Sequence, residues 1–172
     1  MTEKKYSIDN SKTPTVSELY SVYEATIPSS LELIEQLLGG VKTIGKKINN
    51  ILEFLQLAQH GLPISVLKSL QKRMKFTNRE MGKVLEISES TLQRRIKKGE
   101  KLDKRESENT IQLAALWAKG LEVFDNEYDF RRWLDMENIA LGNNKPLDIL
   151  HSSIGRDEIK ELLTRIEWGI YS

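Results

Sequence analysis

The sequence predicts an all-α protein, with a helix-turn-helix core followed by a small helical C-terminal domain. Apolar residues recur at the three- and four-residue spacing of amphipathic helices along most of the 172 residues, whereas sustained alternation is scarce. Polar N-cap signals precede three such stretches in the middle of the chain. Two short predicted helices there are joined by about three residues, the length of a helix-turn-helix connection.

The composition excludes several classes of protein. The sequence has no cysteine, which removes disulfides, thiolate metal sites and thiol nucleophiles. No run approaches ~18 consecutive apolar residues, and the polar N-terminus lacks the apolar core of a secretory signal. We therefore expect a cytoplasmic protein that makes no use of a membrane.

The net charge of +1 conceals a strong asymmetry. Residues 1–67 carry a net charge of −1, residues 68–105 carry +8 and residues 106–172 carry −6. A basic middle indicates contact with nucleic acid. A lysine-rich, solvated helical face is the alternative interpretation of the same charge.

The first third, residues 1–60, reads as an N-terminal arm and helices of uncertain role. A short helix is expected at 17–25, between Pro14 and Pro28. A second helix, 31–38, should end at Gly39 and Gly40. A short strand remains possible at 41–44. The next helical stretch carries Ile44, Ile48, Ile51, Leu52 and Leu55 and should stop at Gly61.

The second segment, residues 61–101, is predicted to hold the helix-turn-helix. Pro63 can open the first helix. Thr77 with Glu80 forms a capping box for the second, and Ser88 caps the third, which Gly99 ends. Within this segment Gly82 should let the second and third helices approach closely.

The third segment, residues 102–172, is predicted to be a C-terminal domain for dimerisation and partner binding. Asp103 and Glu106 cap a long helix that reaches Phe124. Shorter elements at 129–134 and 146–150 should pack on it, and a final helix should follow residues 155–157 and close at Gly169. Gly142 and Gly155 are expected to adopt left-handed conformations.

The helix at 89–98 is the candidate DNA-reading element. Leu92 and Ile96 lie four residues apart and should face inward, which turns polar side chains outward. Gln93 can pair with adenine and Arg94 or Arg95 with guanine, while the lysines suit phosphates. An ordinary helical hairpin with a charged face is the alternative. The candidate DNA-contacting residues are Ser90, Thr91, Gln93, Arg94, Arg95, Lys97 and Lys98.

The sequence offers little for catalysis. His60 and His151 are the only histidines and lie far apart. Phosphate-binding, dinucleotide-binding and zinc-protease motifs are absent from the sequence. We expect no enzymatic activity, no metal and no cofactor.

Four blocks of sequence resemble one family. EISESTLQRRIKKGEKLDKRESE, LAALWAKGLEVF, RRWLDMENIALGNNKPLDIL and IGRDEIKELLTRIEWGIYS occur in the order found in Xre-like antitoxins of RES–Xre type II toxin–antitoxin modules, the MbcA/ParS/Xre antitoxin family. The resemblance covers about residues 60–172. Glu86 departs from the pattern of many helix-turn-helix proteins, which place glycine in the turn.

The resemblance implies an antitoxin that neutralises a cognate RES-domain toxin, a family that attacks NAD. It also implies operator DNA as a partner, repression of the protein's own operon, a homodimer and a higher toxin–antitoxin assembly. Its C-terminal end would reach the toxin's NAD pocket. The toxin-binding candidates are Arg165, Glu167, Trp168, Tyr171 and Ser172. Trp168 and Tyr171 could instead close the domain's own core.

Two other functions fit the sequence. One is a stand-alone helix-turn-helix transcriptional regulator whose C-terminal domain only dimerises. The other is an interaction protein whose helix-turn-helix no longer contacts DNA.

Overall fold

The computed structural model describes residues 30–124 and 126–170, and every regular element in these residues is helical. The predicted all-α fold is thereby confirmed. The helix predicted at 17–25, and the candidates Tyr171 and Ser172, lie outside the described residues. The helices are α1 (Ser30–Leu37), α2 (Gly40–Ile44), α3 (Ile51–His60), α4 (Ile64–Met74), α5 (Asn78–Leu85), α6 (Glu89–Lys98), α7 (Lys104–Val123), α8 (Glu127–Leu134), α9 (Pro146–Ile149) and α10 (Ser153–Glu167), with a 3-10 turn at Ile139–Leu141.

The connection between α1 and α2 is a tight glycine turn. Gly39 has φ 98°, and a Cβ there would lie 2.5 Å from the Ser69 Oγ atom of α4. Only glycine therefore combines this conformation with this close approach. The chain then continues as α2, so the alternative of a strand at 41–44 is wrong.

The apolar face of α3 differs from the predicted one. Phe54 and Ala58 are buried, whereas Ile51, Leu52 and Leu55 are 58%, 64% and 48% exposed. Both sets have helical spacing, so periodicity alone cannot choose between them. Helix α3 packs against α7, and this contact buries the face that carries Phe54 and Ala58.

The predicted helix starts in the middle of the chain are confirmed. The Thr77 and Asp103 side chains each complete a capping box, with Glu80 and Glu106 respectively, and the Ser88 hydroxyl accepts from the Thr91 amide. Each cap satisfies amides that the first helical turn leaves without a partner.

The turn between α5 and α6 is compact. Glu86 takes the left-handed conformation, with φ 57°, although it is not glycine. The Ile87 amide donates to the Gly82 carbonyl at 2.9 Å, and a Cβ on Gly82 would lie 2.8 Å from the Ile87 carbonyl oxygen. The predicted role of Gly82 in close packing is confirmed.

The long helix α7 forms the centre of the core. Trp117 is fully buried and makes edge-on contacts with Phe76 and Phe130, with centroid distances of 5.8 and 4.9 Å. Phe130 also packs directly on Gly120, where a Cβ would collide with the ring. Trp117 therefore joins Phe76, from the loop between α4 and α5, and Phe130 of α8 into one aromatic cluster.

Helix α8 packs on α7, as predicted, and α10 does so as well, whereas α9, which was also expected to pack on α7, packs mainly on α8 and α10. Helix α10 begins earlier than expected, because the Ser152 hydroxyl caps it by accepting from the Gly155 amide. Gly142 has the predicted left-handed φ of 64°, but Gly155 does not, and that prediction is wrong. Glycine is needed at 155 because the Ile149 carbonyl lies against its Cα atom.

Within residues 30–124 and 126–170, none of the helices has the length and apolar content required to cross a bilayer.

Candidate functional sites

Helix α6 presents a polar, mostly cationic face to solvent. Leu92 is buried and Ile96 half-buried, and both point toward the core. The side chains that are exposed on the opposite face are Glu89, Ser90, Gln93, Arg94, Lys97 and Lys98. This surface has the shape and chemistry of an element that enters the major groove of DNA.

The cations on this face are largely free of ion pairs. Among the described residues, Arg94 and Lys97 have no acidic partner within 4.0 Å, and Lys98 lies 3.8 Å from Glu100 with its side chain 59% exposed. The Gln93 amide donates to Glu89 at 3.3 Å, a long bond that a better acceptor can replace. Unpaired cations attract phosphate and release its counterions on contact.

The N-terminal end of α6 is more constrained. The Ser88 hydroxyl is hydrogen-bonded to both the Ser90 and Thr91 hydroxyls, at 3.0 and 2.8 Å. Thr91 is also half-buried. Because Ser88 engages both the amide and the hydroxyl of Thr91, the earlier backbone amides of this turn, at Glu89 and Ser90, are the better-placed donors to a phosphate.

Arg95 does not belong to the exposed face. Its guanidinium makes a two-pronged ion pair with Glu106, one bond being 2.8 Å, and donates to the Lys101 carbonyl at 2.8 Å. The Glu106 hydrogen bond is the main reason that the pKa of Arg95 is raised above its usual value. With a side chain only 13% exposed, Arg95 joins α6 to the start of α7, so its guanidinium is less accessible to a DNA base than that of Arg94.

Three lysines that the sequence did not predict as site residues adjoin the same face, two in α4 and the third, Lys75, directly after its end. Lys68, Lys72 and Lys75 line a groove of about 550 Å³ together with Gln93 and Lys97. All three are exposed, and no ion pair links them to another described residue. Their common signal was the basic character of residues 68–105, which begins with Lys68.

One ion pair connects the helix-turn-helix to the C-terminal helices. The Arg131 Nη2 atom of α8 lies 3.0 Å from Glu80 at the start of α5, and the Arg131 guanidinium sits 5.0 Å from the centre of the Phe76 ring. Burial alone would raise the pKa of Glu80, but hydrogen bonds from Thr77 and Arg131 outweigh it, so the pKa is lowered.

The end of α10 presents an apolar surface. Trp168 is 74% exposed and Ile170 58% exposed, so Trp168 does not close the core of its own domain. The charged candidates nearby are paired within the chain. Glu167 accepts from Lys119 Nζ at 2.6 Å, and Arg165 pairs with Glu161 one turn earlier.

A third arginine, Arg156, is buried where α10 packs on α7. It is 2% exposed and donates to the Leu150 carbonyl at 2.9 Å, to Asn109 Oδ1 at 2.8 Å and to Gln112 Oε1 at 3.0 Å. Burial lowers the pKa of this guanidinium. Arg156 therefore fixes the position of α10 rather than contacting a partner.

The chain is all-α, with a capped helix-turn-helix whose helix α6 is basic and with further helices after it. These features define a helix-turn-helix protein with a separate interaction domain. Two family models match it: the antitoxin Xre-like helix-turn-helix domain at residues 53–115 and the antitoxin Xre/MbcA/ParS C-terminal toxin-binding domain at residues 119–169. Together they span about two thirds of the chain. The protein belongs to the Xre/MbcA/ParS antitoxin family.

A solved structure is also similar, the M. tuberculosis MbcT–MbcA toxin–antitoxin complex. The similarity has 18% sequence identity and a TM-score of 0.46, and it covers 73% of this chain and 100% of the other. Among curated proteins, none is significantly similar in sequence.

Proposed function

We propose that this antitoxin binds and neutralises a cognate RES-type toxin that degrades NAD, and that it represses its own operon by binding operator DNA. The observation that carries the proposal is the match of residues 119–169 to a toxin-binding domain whose last helix ends in an exposed tryptophan. Both functions are binding functions, and the proposal assigns the chain no catalysis, metal or cofactor.

The DNA-binding half of the proposal rests on α6. Arg94 and Gln93 extend from its exposed face and are the residues that we assign to base edges. Lys97 and Lys98 bind phosphates, and the exposed lysines of α4 extend this positively charged surface. Ser90 and the first-turn amides of α6 position the helix on the backbone.

The toxin-binding half rests on the end of α10. Trp168 suits the centre of an interface, since a tryptophan can bury a large apolar area at a small entropic cost. The residues that follow, 170–172, extend past Gly169 and are proposed to enter the toxin's NAD pocket. We assign most of the affinity to the folded domain and the blocking of the pocket to these last residues.

The proposal includes a homodimer, because helix-turn-helix proteins commonly read two half-sites about one helical turn apart. Helix α7 offers little apolar surface to a second copy, because its apolar residues Leu113, Leu116 and Trp117 are buried in the chain's own core. The exposed face of α3, with Leu52 at its centre, is the better contact for a second copy.

The test uses the gene beside the antitoxin gene. Co-expression of the antitoxin should protect cells from the neighbouring RES-type protein and preserve their NAD. A gel shift on the upstream DNA should show binding that weakens steeply as salt rises. DNA binding with no toxin binding would instead support the stand-alone transcriptional regulator, which the basic face of α6 also favours.

A further inference from the structure

The groove of about 550 Å³ between α4 and α6 is lined by cations and by no acidic side chain of the described residues. Lys68, Lys72 and Lys75 border it on the α4 side, and Lys97 borders it on the α6 side. All four lysines are exposed, and none has an acidic partner within 4.0 Å in the part of the chain that the structure describes. The groove is therefore an open channel with unpaired positive charge on both walls.

This groove lies on one side of the DNA-reading face of α6. Gln93 and Lys97 border the groove, whereas Arg95 pairs with Glu106 at the start of α7. Residues two apart on a helix are separated by about 200° around its axis, so Gln93 and Arg95 extend in nearly opposite directions. Arg94 extends between these two directions. The face assigned to the DNA bases is therefore flanked by α4 on one side and by the start of α7 on the other.

The cations on the α7 side are mostly paired within the chain. Arg105 Nη2 lies 2.7 Å from Glu86, and Lys104 Nζ lies 3.9 Å from Glu108. Lys101 is the remaining exposed cation there without an acidic partner among the described residues. A cation that already has a carboxylate partner gains less from a phosphate, because the phosphate also meets the negative charge of that partner. The two sides of α6 thus differ in the charge that they offer to DNA.

The spacing of the lysines on the α4 side suits a phosphate backbone. Lys68 and Lys72 are one helical turn apart, and Lys75 follows the end of α4. The seven residues from Lys68 to Lys75 span about 10 Å at 1.5 Å per residue. One strand of B-DNA carries about three phosphates over that length of the helix axis. A backbone that followed the groove would therefore meet about one lysine per phosphate.

Given the proposed DNA binding, on which this inference rests, we propose that the backbone of one DNA strand lies in the groove between α4 and α6. Both strands of the duplex border the major groove that a recognition helix occupies. The strand on the α4 side is bound by Lys68, Lys72 and Lys75, whereas the paired cations at the start of α7 contribute little to binding of the other strand. The backbone contacts of the helix-turn-helix are therefore one-sided.

Two matched double variants of the full-length protein test this asymmetry. Lys68→Gln with Lys72→Gln removes two cations from the groove, and the control, Lys104→Gln with Arg105→Gln, removes two paired cations from the α7 side. All four positions are exposed, and circular dichroism checks that both variants fold. Fluorescence anisotropy then measures binding to a short duplex of random sequence over a range of salt concentrations. The salt slope should lose about 1.8 in magnitude in the groove variant and less than about 0.5 in the control.

Neutral methylphosphonate linkages locate the contact on the DNA. Placed one at a time along each strand of the DNA upstream of the antitoxin gene, they should weaken binding of the wild type at about three adjacent positions of one strand. The same linkages should have an effect about threefold smaller on the Lys68→Gln, Lys72→Gln variant, which has already lost the contacts.

The outcomes separate this inference from the proposed function. Equal salt slopes for the two double variants, or a methylphosphonate pattern that the groove variant leaves unchanged, would overturn the contact with α4 while DNA binding stands. A wild-type protein that binds neither DNA would overturn the proposed DNA binding itself, and the α4 contact with it.

Discussion

Helix α6 and the C-terminal end of α10 expose opposite kinds of side chain. On α6, Arg94 and Lys97 face solvent without an acidic partner among the described residues. On α10, Arg165 and Glu167 are paired within the chain, and the exposed group at its end is Trp168. Helix α6 therefore presents unpaired positive charge, suited to a phosphate backbone, and the C-terminal end of α10 presents apolar area, suited to a protein.

The arginines make this difference specific, because Arg94, Arg95 and Arg156 are chemically identical but perform different tasks. Arg94 is exposed, Arg95 is held by Glu106, and Arg156 is buried among neutral acceptors. The surroundings of each guanidinium, not its position on a helical wheel, determine whether it is available to a ligand.

The largest effect is expected from Arg156→Ala. The substitution leaves the buried Leu150 carbonyl and the half-buried Asn109 side chain without their donor, removes the donors to the exposed Gln112 side chain, and empties the space of a side chain that is 2% exposed. We expect the free energy of unfolding to fall by about 3 kcal/mol. Urea denaturation followed by circular dichroism measures it, with exposed Arg132→Ala as the control. A loss equal to that of the control would show that α10 does not depend on this buried guanidinium.

Arg94→Ala and Arg95→Ala should separate function from stability on one helix. Arg94→Ala should weaken specific operator binding by about 1–3 kcal/mol and leave stability unchanged. Arg95→Ala should lower stability by about 2 kcal/mol, because Glu106 is 4% exposed and loses its partner. Fluorescence anisotropy and urea denaturation of both variants give the two quantities. If Arg95→Ala alone weakens DNA binding at full stability, the assignments of the two arginines are reversed.

A comparison of Lys98→Ala with Arg94→Ala tests which of the two side chains recognises the base sequence. Lys98→Ala should weaken binding to operator and random DNA alike and reduce the magnitude of the salt slope by about 1. Arg94→Ala should weaken operator binding more than random binding. Equal losses on both DNAs for both variants would contradict base reading by Arg94.

Removal of residues 170–172 should weaken neutralisation of the toxin and leave DNA binding unchanged. These residues follow Gly169, after the last turn of α10, so we expect an unchanged fold and unchanged DNA binding. Protection of cells that express the toxin should fall. Complete protection at matched expression would rule out blocking of the toxin's pocket by the tail.

The smallest expected effect is on the acid stability that the Glu80–Arg131 ion pair provides, where the helix-turn-helix meets the C-terminal helices. The pKa of Glu80 is lower in the folded protein than its ordinary value of 4.5, so the folded state favours the ionised form. This contribution to stability is fully present above about pH 4.5 and is lost as the pH falls through the folded-state pKa. Glu80→Gln should reduce the loss of stability between pH 5 and about 3 by a fraction of a kcal/mol. Identical acid profiles for wild type and variant would count against the Glu80–Arg131 link.

The sequence predicted the helix starts better than the faces that the helices bury. A cap such as Thr77 with Glu80 depends on residues three apart, so local sequence suffices. The buried face of α3 depends on its contact with α7, and two apolar faces on that helix satisfied the same periodicity. Arg95 was grouped with Arg94 because its partner, Glu106, comes from another helix. The lysines of α4 joined the candidate site only when folding placed them beside α6.

The central claim is that the two surfaces act independently, α6 on DNA and the end of α10 on the toxin. Isothermal titration of the proposed RES-type toxin into wild type, Trp168→Ala and Arg94→Ala tests it most directly. We expect Trp168→Ala to lose at least 2 kcal/mol of binding free energy, roughly thirtyfold in affinity, and Arg94→Ala to match wild type. Equal toxin affinity for Trp168→Ala and wild type, or a comparable loss in Arg94→Ala, would contradict the account.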